Sequence, residues 1–182
     1  MKQWTFWKEY APESLSFGKD GMSVKAKGKT PTDGRLLLTT ATDKNYELTT
    51  EITLGKGNTG GLLLFYDEKA YAGVASDGKT LTIYRNGEKA ETMPSNYHKH
   101  FHLRLNRANR VTLSASKDGK SWKELATDID VSGLHHNNYG GFYALRPALL
   151  SAGKGRTTFR NFTYRDATPQ EKDMAAYLMV FH

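Results

Sequence analysis

The stretch Tyr46-Glu-Leu-Thr-Thr-Glu-Ile-Thr53 alternates residue by residue, with Tyr, Leu, Thr and Ile on one side and Glu or Thr on the other. Successive side chains of a β-strand point to opposite faces, so this period of two predicts a strand with one buried face and one polar face. The same alternation recurs at Phe101–Asn106 and at Val111–Ser116. The chain is therefore expected to contain several half-buried strands.

Short turn signals separate these strands. Asp77-Gly78, Asn86-Gly87 and Asp118-Gly119 are residue pairs that close two-residue β-hairpins, because they tolerate positive φ angles. No helical pattern of ten or more residues occurs before position 168, so the crossovers that parallel strands require are missing. The sequence predicts an all-β fold, a two-sheet antiparallel β-sandwich.

Composition excludes several classes of protein. The 182 residues contain no cysteine, which excludes a disulfide scaffold, a thiolate metal site and a cysteine nucleophile. The net charge is +7, but acidic residues such as Glu51, Asp67 and Glu88 interrupt the basic ones, so no nucleic-acid partner is expected. Aromatic residues make up 12% of the chain, which suits a sheet core or a binding surface.

The chain divides into a sandwich domain at residues 1–166 and a tail at residues 167–182. Thr168-Pro-Gln-Glu171 has the cap, proline and glutamate that begin a helix. We expect a short C-terminal linker helix there, followed by the start of a truncated next domain, because the apolar run Met174–Phe181 reads as one buried strand. Residues 1–20 have no apolar core of a signal peptide, and no run is long enough for a membrane span.

Catalytic signals are weak, and no catalytic residue is assigned. Nucleophile elbows, phosphate loops and dinucleotide fingerprints are missing, so no cofactor is expected. Two carboxylate pairs, Glu47/Glu51 and Asp128/Asp130, have the spacing that glycoside hydrolysis needs. They leave open the alternative that the sandwich is itself a hydrolase.

Three histidines, His98, His100 and His102, are expected on one face of a strand. Alternate histidines can bind zinc when a neighbouring strand adds a ligand. No carboxylate stands at an obvious spacing in the sequence, so the interpretation is a solvated face and no metal site.

An outward face with aromatic and polar side chains suits a sugar ring. Alternation places Tyr84, His102, Arg104 and Tyr143 opposite apolar neighbours, and Glu51 could accept hydrogen bonds from sugar hydroxyls. These five residues are the predicted carbohydrate-binding site.

An ordered set of motifs resembles the concanavalin A-like accessory domain of β-xylosidases in glycoside hydrolase family 43. The motifs are Trp4–Pro12, Tyr46–Glu51, Gly60–Tyr71, Phe101–Leu105, Ser116–Trp122, Gly140–Ala144 and Phe159–Tyr164.

The resemblance implies a concanavalin A-like jelly roll and a non-catalytic module for oligo- or polysaccharide. It further implies an appended catalytic domain of the β-xylosidase or arabinofuranosidase type, acting outside the cytoplasm as a secreted or periplasmic enzyme. The tail is similar to the first strand of that family's propeller, so the sandwich would precede the propeller. Trp122 is expected to be a structural residue of its hairpin.

A second function class remains open, in which the domain serves only for packing or oligomerisation. This alternative predicts an exposed apolar patch of several hundred Å².

Overall fold

The computed structural model describes residues 3–134 and 144–167. Within these ranges there are fourteen β-strands and a short 3₁₀ helix at Pro12–Ser14. The strands are β1 (Thr5–Phe6), β2 (Leu15–Gly18), β3 (Gly21–Lys25), β4 (Arg35–Leu38), β5 (Tyr46–Leu54), β6 (Thr59–Asp67), β7 (Ala70–Ser76), β8 (Thr80–Arg85), β9 (Glu88–Pro94), β10 (His100–Arg107), β11 (Val111–Ser116), β12 (Lys123–Ile129), β13 (Arg146–Ala152) and β14 (Arg156–Asp166).

The strands form two antiparallel sheets of seven strands each. Sheet 1 has the order β1-β4-β13-β6-β7-β8-β9, and sheet 2 has the order β12-β11-β10-β5-β14-β3-β2. The predicted all-β sandwich is confirmed. The short C-terminal helix, expected after residue 167, lies outside the described residues. Strand β9 is one edge of sheet 1, and all its residues except the half-buried Met93 are exposed.

The main core lies between the two sheets. Strand β5 is buried at every second residue from Tyr46 to Leu54, as its sequence alternation predicts. Leu48 and Ile52 pack with Phe101 and Leu103 of β10 and with side chains from sheet 1. The remaining residues of β5 point away from this core, so the outer face of sheet 2 is polar.

The outer face of sheet 1 is covered rather than open. Leu63 and Phe65 on that face belong to a second buried cluster. The N-terminal segment covers part of it, with the Trp7 ring edge-on to Phe65 at 5.1 Å between centroids. The loop before β4 covers another part, with Thr32 Oγ1 3.2 Å from the Tyr71 hydroxyl. Sheet 2 is therefore the sheet whose outer face is available for binding.

The β8–β9 hairpin has the turn that its sequence predicts. Asn86 and Gly87 have φ angles of 51° and 80°, which is the backbone that a two-residue type I′ turn requires. A Cβ atom at Gly87 would lie 2.1 Å from the Lys69 carbonyl oxygen. This turn thus needs glycine both for its backbone and for space.

We expect Gly87→Ala to destabilise the domain by more than the approximately 1–2 kcal/mol that a left-handed backbone costs an ordinary residue, because the new methyl group also meets the Lys69 carbonyl. Gly57→Ala is the matched control, since Gly57 has a φ of 71° and no heavy atom within 4 Å of its Cβ position. Urea unfolding measures both variants. Equal losses of stability would contradict the steric part of this explanation.

Candidate functional site

An open depression of about 480 Å³ lies on the outer face of sheet 2. Its floor comes from β5, β10 and β14, and one wall is the turn between β11 and β12. The lining residues are Glu47, Thr49, Thr50, Glu51, His102, Arg104, Asp118, Gly119, Lys120, Trp122, Asn161 and Thr163. Three of the five predicted site residues, Glu51, His102 and Arg104, are among them.

Strand register brings Glu51 and His102 together. They are directly opposite each other in the β5–β10 ladder, and outward side chains at such positions are close neighbours. Arg104 follows two residues later on the same face of β10. The sequence predicts the face of each residue, whereas only the paired register shows that they share one site.

A β-bulge in β14 adds a second polar group to the site. Arg160 pairs with Glu51 and Thr163 pairs with Thr49, so β14 has one extra residue at this point. Arg160 and Asn161 both face outward as a result, and Asn161 Nδ2 donates to Glu51 Oε2 at 2.9 Å. Bulges of this kind redirect side chains beside functional sites. The alternation argument missed Asn161 because a bulge interrupts the alternation.

The second carboxylate of the depression, Glu47, lies among arginines. Its Oε2 is 2.8 Å from Arg165 Nη2, and its Oε1 is 3.7 Å from Arg104 Nε. The second distance is too long for a hydrogen bond. Among the described residues, Arg104 Nε is buried and has no hydrogen-bond partner.

The β11–β12 turn is built from the Ser116–Trp122 motif. Asp118 Oδ1 accepts hydrogen bonds from the Lys120 and Ser121 amides at 2.8 and 3.0 Å. Gly119 has a φ of 76°, and a Cβ atom there would lie 3.0 Å from the His102 ring. The turn backbone therefore lies directly against His102 and forms a wall of the depression.

Trp122 is not buried inside the hairpin. Trp122 was predicted to be a structural residue of its hairpin; it is half-buried and also lines the depression on the outer face of sheet 2. The Arg104 guanidinium carbon is 4.4 Å from the centre of the indole ring, a distance at which cation–π attraction operates. The His102 ring is edge-on to Trp122 at 6.5 Å.

The histidines differ from the expected set of three. Strand β10 begins at His100, and His98 has a φ of 57° in the preceding turn, so only His100 and His102 share the outer face. Burial lowers the pKa of His102, reinforced by the nearby His100 and opposed by Glu51 and Asp118. The neutral imidazole of His102 is therefore favoured at neutral pH.

The remaining two predicted site residues are placed differently. Tyr84 is in sheet 1 and belongs to the second buried cluster, where its ring is edge-on to Tyr71 at 5.5 Å. The expectation that it shares a face with His102 and Arg104 is wrong, because its strand joins the other sheet and its outward side is covered. Tyr143 lies outside the described residues.

The two carboxylate pairs of the hydrolase alternative are in different places. Glu47 and Glu51 line the depression, and arginines approach both of them. Asp128 and Asp130 lie outside the depression, where the exposed Arg110 is 3.7 Å from each carboxylate. The sequence spacing alone does not distinguish these two environments.

The packing alternative predicts an exposed apolar patch. Among the described residues, two large hydrophobic side chains are exposed, Tyr10 at 86% and Phe17 at 74%.

No helix in these ranges is long and apolar enough to cross a membrane.

Residues 2–165 match the family described as the beta xylosidase C-terminal concanavalin A-like domain. The chain belongs to this family. The match confirms the resemblance predicted from the motifs and supports the prediction of an accessory or carbohydrate-binding module of the glycoside hydrolase type. No curated protein sequence is similar enough to be recognised as a relative.

Solved structures share the fold of this beta xylosidase C-terminal-like domain. The GH43 protein BlXynB from Bacillus licheniformis matches with a TM-score of 0.76 and 14% identity, over 90% of this chain and 36% of that one. A xylan beta-1,4-xylosidase from Bacillus halodurans matches with a TM-score of 0.68 and 14% identity, over 85% of this chain and 34% of that one. The chain thus spans about a third of these proteins.

A similar structure of nearly the same size is the carbohydrate-binding module CBM66 from Bacillus subtilis. The TM-score is 0.58 at 16% identity, and the alignment covers 89% of this chain and 94% of that module. The domain therefore has the fold of structures that occur both as part of larger proteins and as a separate module.

The Asp118 carboxylate provides a test of the turn that forms the wall. Hydrogen bonds from the Ser121 amide, then the Lys120 amide and the Ser116 hydroxyl, lower its pKa from 3.8 to about 2. Because the folded pKa is lower than the unfolded one, this carboxylate stabilises the fold above pH 3.8. The stabilisation is lost as the pH falls towards about 2.

The pKa of Asp118 can be measured by NMR titration of its carboxyl carbon. We expect Ser116→Ala to raise that pKa towards 3.8, since one donor is removed. In Asp118→Asn, the free energy of unfolding should decrease less as the pH falls from 3.8 towards about 2, because the contribution of Asp118 is absent. A titration midpoint near 4 in the unmodified chain would contradict the hydrogen bonding of the turn.

Proposed function

We propose that the outer face of sheet 2 binds an oligo- or polysaccharide, with Trp122 and Arg104 as its centre. The observation that carries the proposal is the stacking of the Arg104 guanidinium on the Trp122 ring at 4.4 Å, in an open depression that Glu51 also lines. An indole ring offers a flat apolar surface to the C–H face of a sugar. The charged groups around it suit the hydroxyl groups.

Arg104 supplies hydrogen-bond donors for this role. Its side chain is 25% exposed, and among the described residues its Nε has no hydrogen-bond partner. A guanidinium has five N–H donors in a planar arrangement. Nε is buried, so we expect the two Nη groups of the guanidinium to donate to hydroxyl oxygens of a ligand.

Glu51 and its neighbours supply acceptors and further donors. The Glu51 side chain is only 13% exposed, so its position is restricted, and Asn161 orients one of its oxygens. A carboxylate oriented in this way accepts hydrogen bonds from sugar hydroxyls more readily than a mobile one, because less conformational entropy is lost on binding. His102 adds a largely neutral imidazole that can donate or accept.

The shape of the depression favours a polymer over a small enclosed ligand. It is open to solvent, and its floor is a sheet surface with the side chains Thr49 and Thr163 hydrogen-bonded to each other. Binding on such a surface rests on one aromatic ring and a few polar contacts, so we expect weak affinity per site.

The same proposal extends to a longer protein in which this domain is joined to a catalytic domain. The family match and the larger size of the similar GH43 proteins support a module that works beside a catalytic domain of the glycoside hydrolase type. The catalytic domain would be of the β-xylosidase or arabinofuranosidase type, and its substrate would be hemicellulose. Such polymers lie outside the cell, so we propose a secreted or periplasmic location.

Titration of the chain with xylo- and arabino-oligosaccharides tests this function. We expect shifts in the Trp122 indole N–H resonance and in the backbone amides of Glu51 and His102 at millimolar sugar, and loss of the two amide shifts in Trp122→Ala. The half-buried ring makes us expect a stability cost of about 1 kcal/mol for that variant, mainly from its contact with Arg104. A thermal melt measures this cost separately from binding.

Tyr10→Ala is the matched control, since it removes an exposed aromatic ring that does not line the depression. It should retain binding and change stability by less than about 0.5 kcal/mol. Silence of every Trp and Tyr signal would refute the proposal, as would equal loss of binding in both variants.

A further inference from the structure

Two imidazoles and one carboxylate meet on the outer face of sheet 2. The possible ligand atoms of Glu51, His100 and His102 all lie within 4.8 Å of one another. His100 and His102 are alternate residues of β10, and Glu51 of β5 pairs directly with His102. The sequence did not show this carboxylate beside the histidines, because it comes from a strand some fifty residues earlier in the chain.

We propose that Glu51, His100 and His102 bind a zinc ion or a similar late first-row divalent metal. Two imidazole nitrogens and one carboxylate oxygen are a ligand set that zinc prefers, with the remaining coordination position open to water or another ligand. Calcium and magnesium prefer all-oxygen sites. This inference does not depend on carbohydrate binding.

The distances suit a small metal ion after modest side-chain rotation. Ligand atoms at about 2.0–2.1 Å from a tetrahedral zinc are separated from one another by roughly 3.3 Å. Glu51 Oε1 and His100 Nε2 are already 3.2 Å apart. His102 lies in the same small volume, and its ring position is restricted by the backbone at Gly119.

Neighbouring groups orient two of the three ligands. Thr53 Oγ1 is 2.9 Å from His100 Nδ1, and Asn161 Nδ2 donates to Glu51 Oε2 at 2.9 Å. When His100 Nδ1–H donates to the Thr53 hydroxyl, the lone pair of Nε2 faces the Glu51 carboxylate. A cation between these two atoms replaces their repulsion by two favourable bonds. Hydrogen bonds of this kind to the distal atoms of ligands are typical of metal sites.

Arg160 is a positive side chain that lies close enough to oppose a metal ion. Arg160 Nη1 is 3.9 Å from Glu51 Oε1. Arg160 also has a separate partner, since its Nη2 lies 3.2 Å from Asp20 Oδ1 and its Nε donates to the Asp20 carbonyl at 3.0 Å. The arginine can therefore stay on Asp20 while Glu51 binds the metal.

Calorimetric titration of the untagged chain with Zn²⁺ at neutral pH tests the proposal. We expect one ion per chain, a higher melting temperature because the metal binds the folded state, and tetrahedral Co²⁺ absorption when cobalt replaces zinc. His100→Ala and Glu51→Gln should each weaken Zn²⁺ binding by at least about tenfold, and Thr53→Val by about tenfold through the lost orientation of His100. Calcium and magnesium should give no comparable heat.

His98→Ala is the matched control, because His98 lies in the turn before β10 and outside the three-residue cluster. It should bind Zn²⁺ as the unmodified chain does. His100 is 47% exposed, so its loss is compatible with folding, which metal-free melts of each variant verify. Absence of stoichiometric Zn²⁺ binding would overturn the proposal, as would binding that persists in both His100→Ala and Glu51→Gln.

Discussion

The alternation of β5 is the constraint on which both the core and the site depend. This strand lies near the middle of sheet 2, between β10 and β14. Its inward residues, Leu48 and Ile52 among them, build the core, and its outward residues Glu47 and Glu51 form the floor of the depression. A slip of one residue would move the carboxylates into the core and the apolar side chains into water. The burial of one face therefore enforces the position of the other.

Local patterns predict the strands and turns because those features depend on neighbours in the sequence. The Asn86-Gly87 hairpin and the shared face of His102 and Arg104 are examples, and the structure contains both. Membership of a sheet is different, since it depends on pairing between distant residues. Alternation therefore placed Tyr84 outward but could not show that β8 belongs to sheet 1, whose outer side is covered.

The site also contains residues that alternation cannot reveal. Asn161 reaches Glu51 through a bulge, which is defined only by the pairing of β14 with β5. Trp122 follows a tight turn, and the direction of that turn decides whether its ring enters the core or lies over Arg104. In both cases the sequence shows a residue type suited to binding, an asparagine or a tryptophan. The position of its side chain depends on pairing between distant strands.

The exposed edge strand β9 has a consequence for how copies of this domain behave together. An edge strand offers unpaired backbone groups to any other strand, which leads to aggregation between molecules. Charged residues at Glu88, Lys89 and Glu91 and a proline at position 94 lie along this edge. Charged side chains and a missing N–H group both disfavour the addition of another strand. This edge of sheet 1 is thereby protected against edge-to-edge pairing when many copies of the domain are at high local concentration.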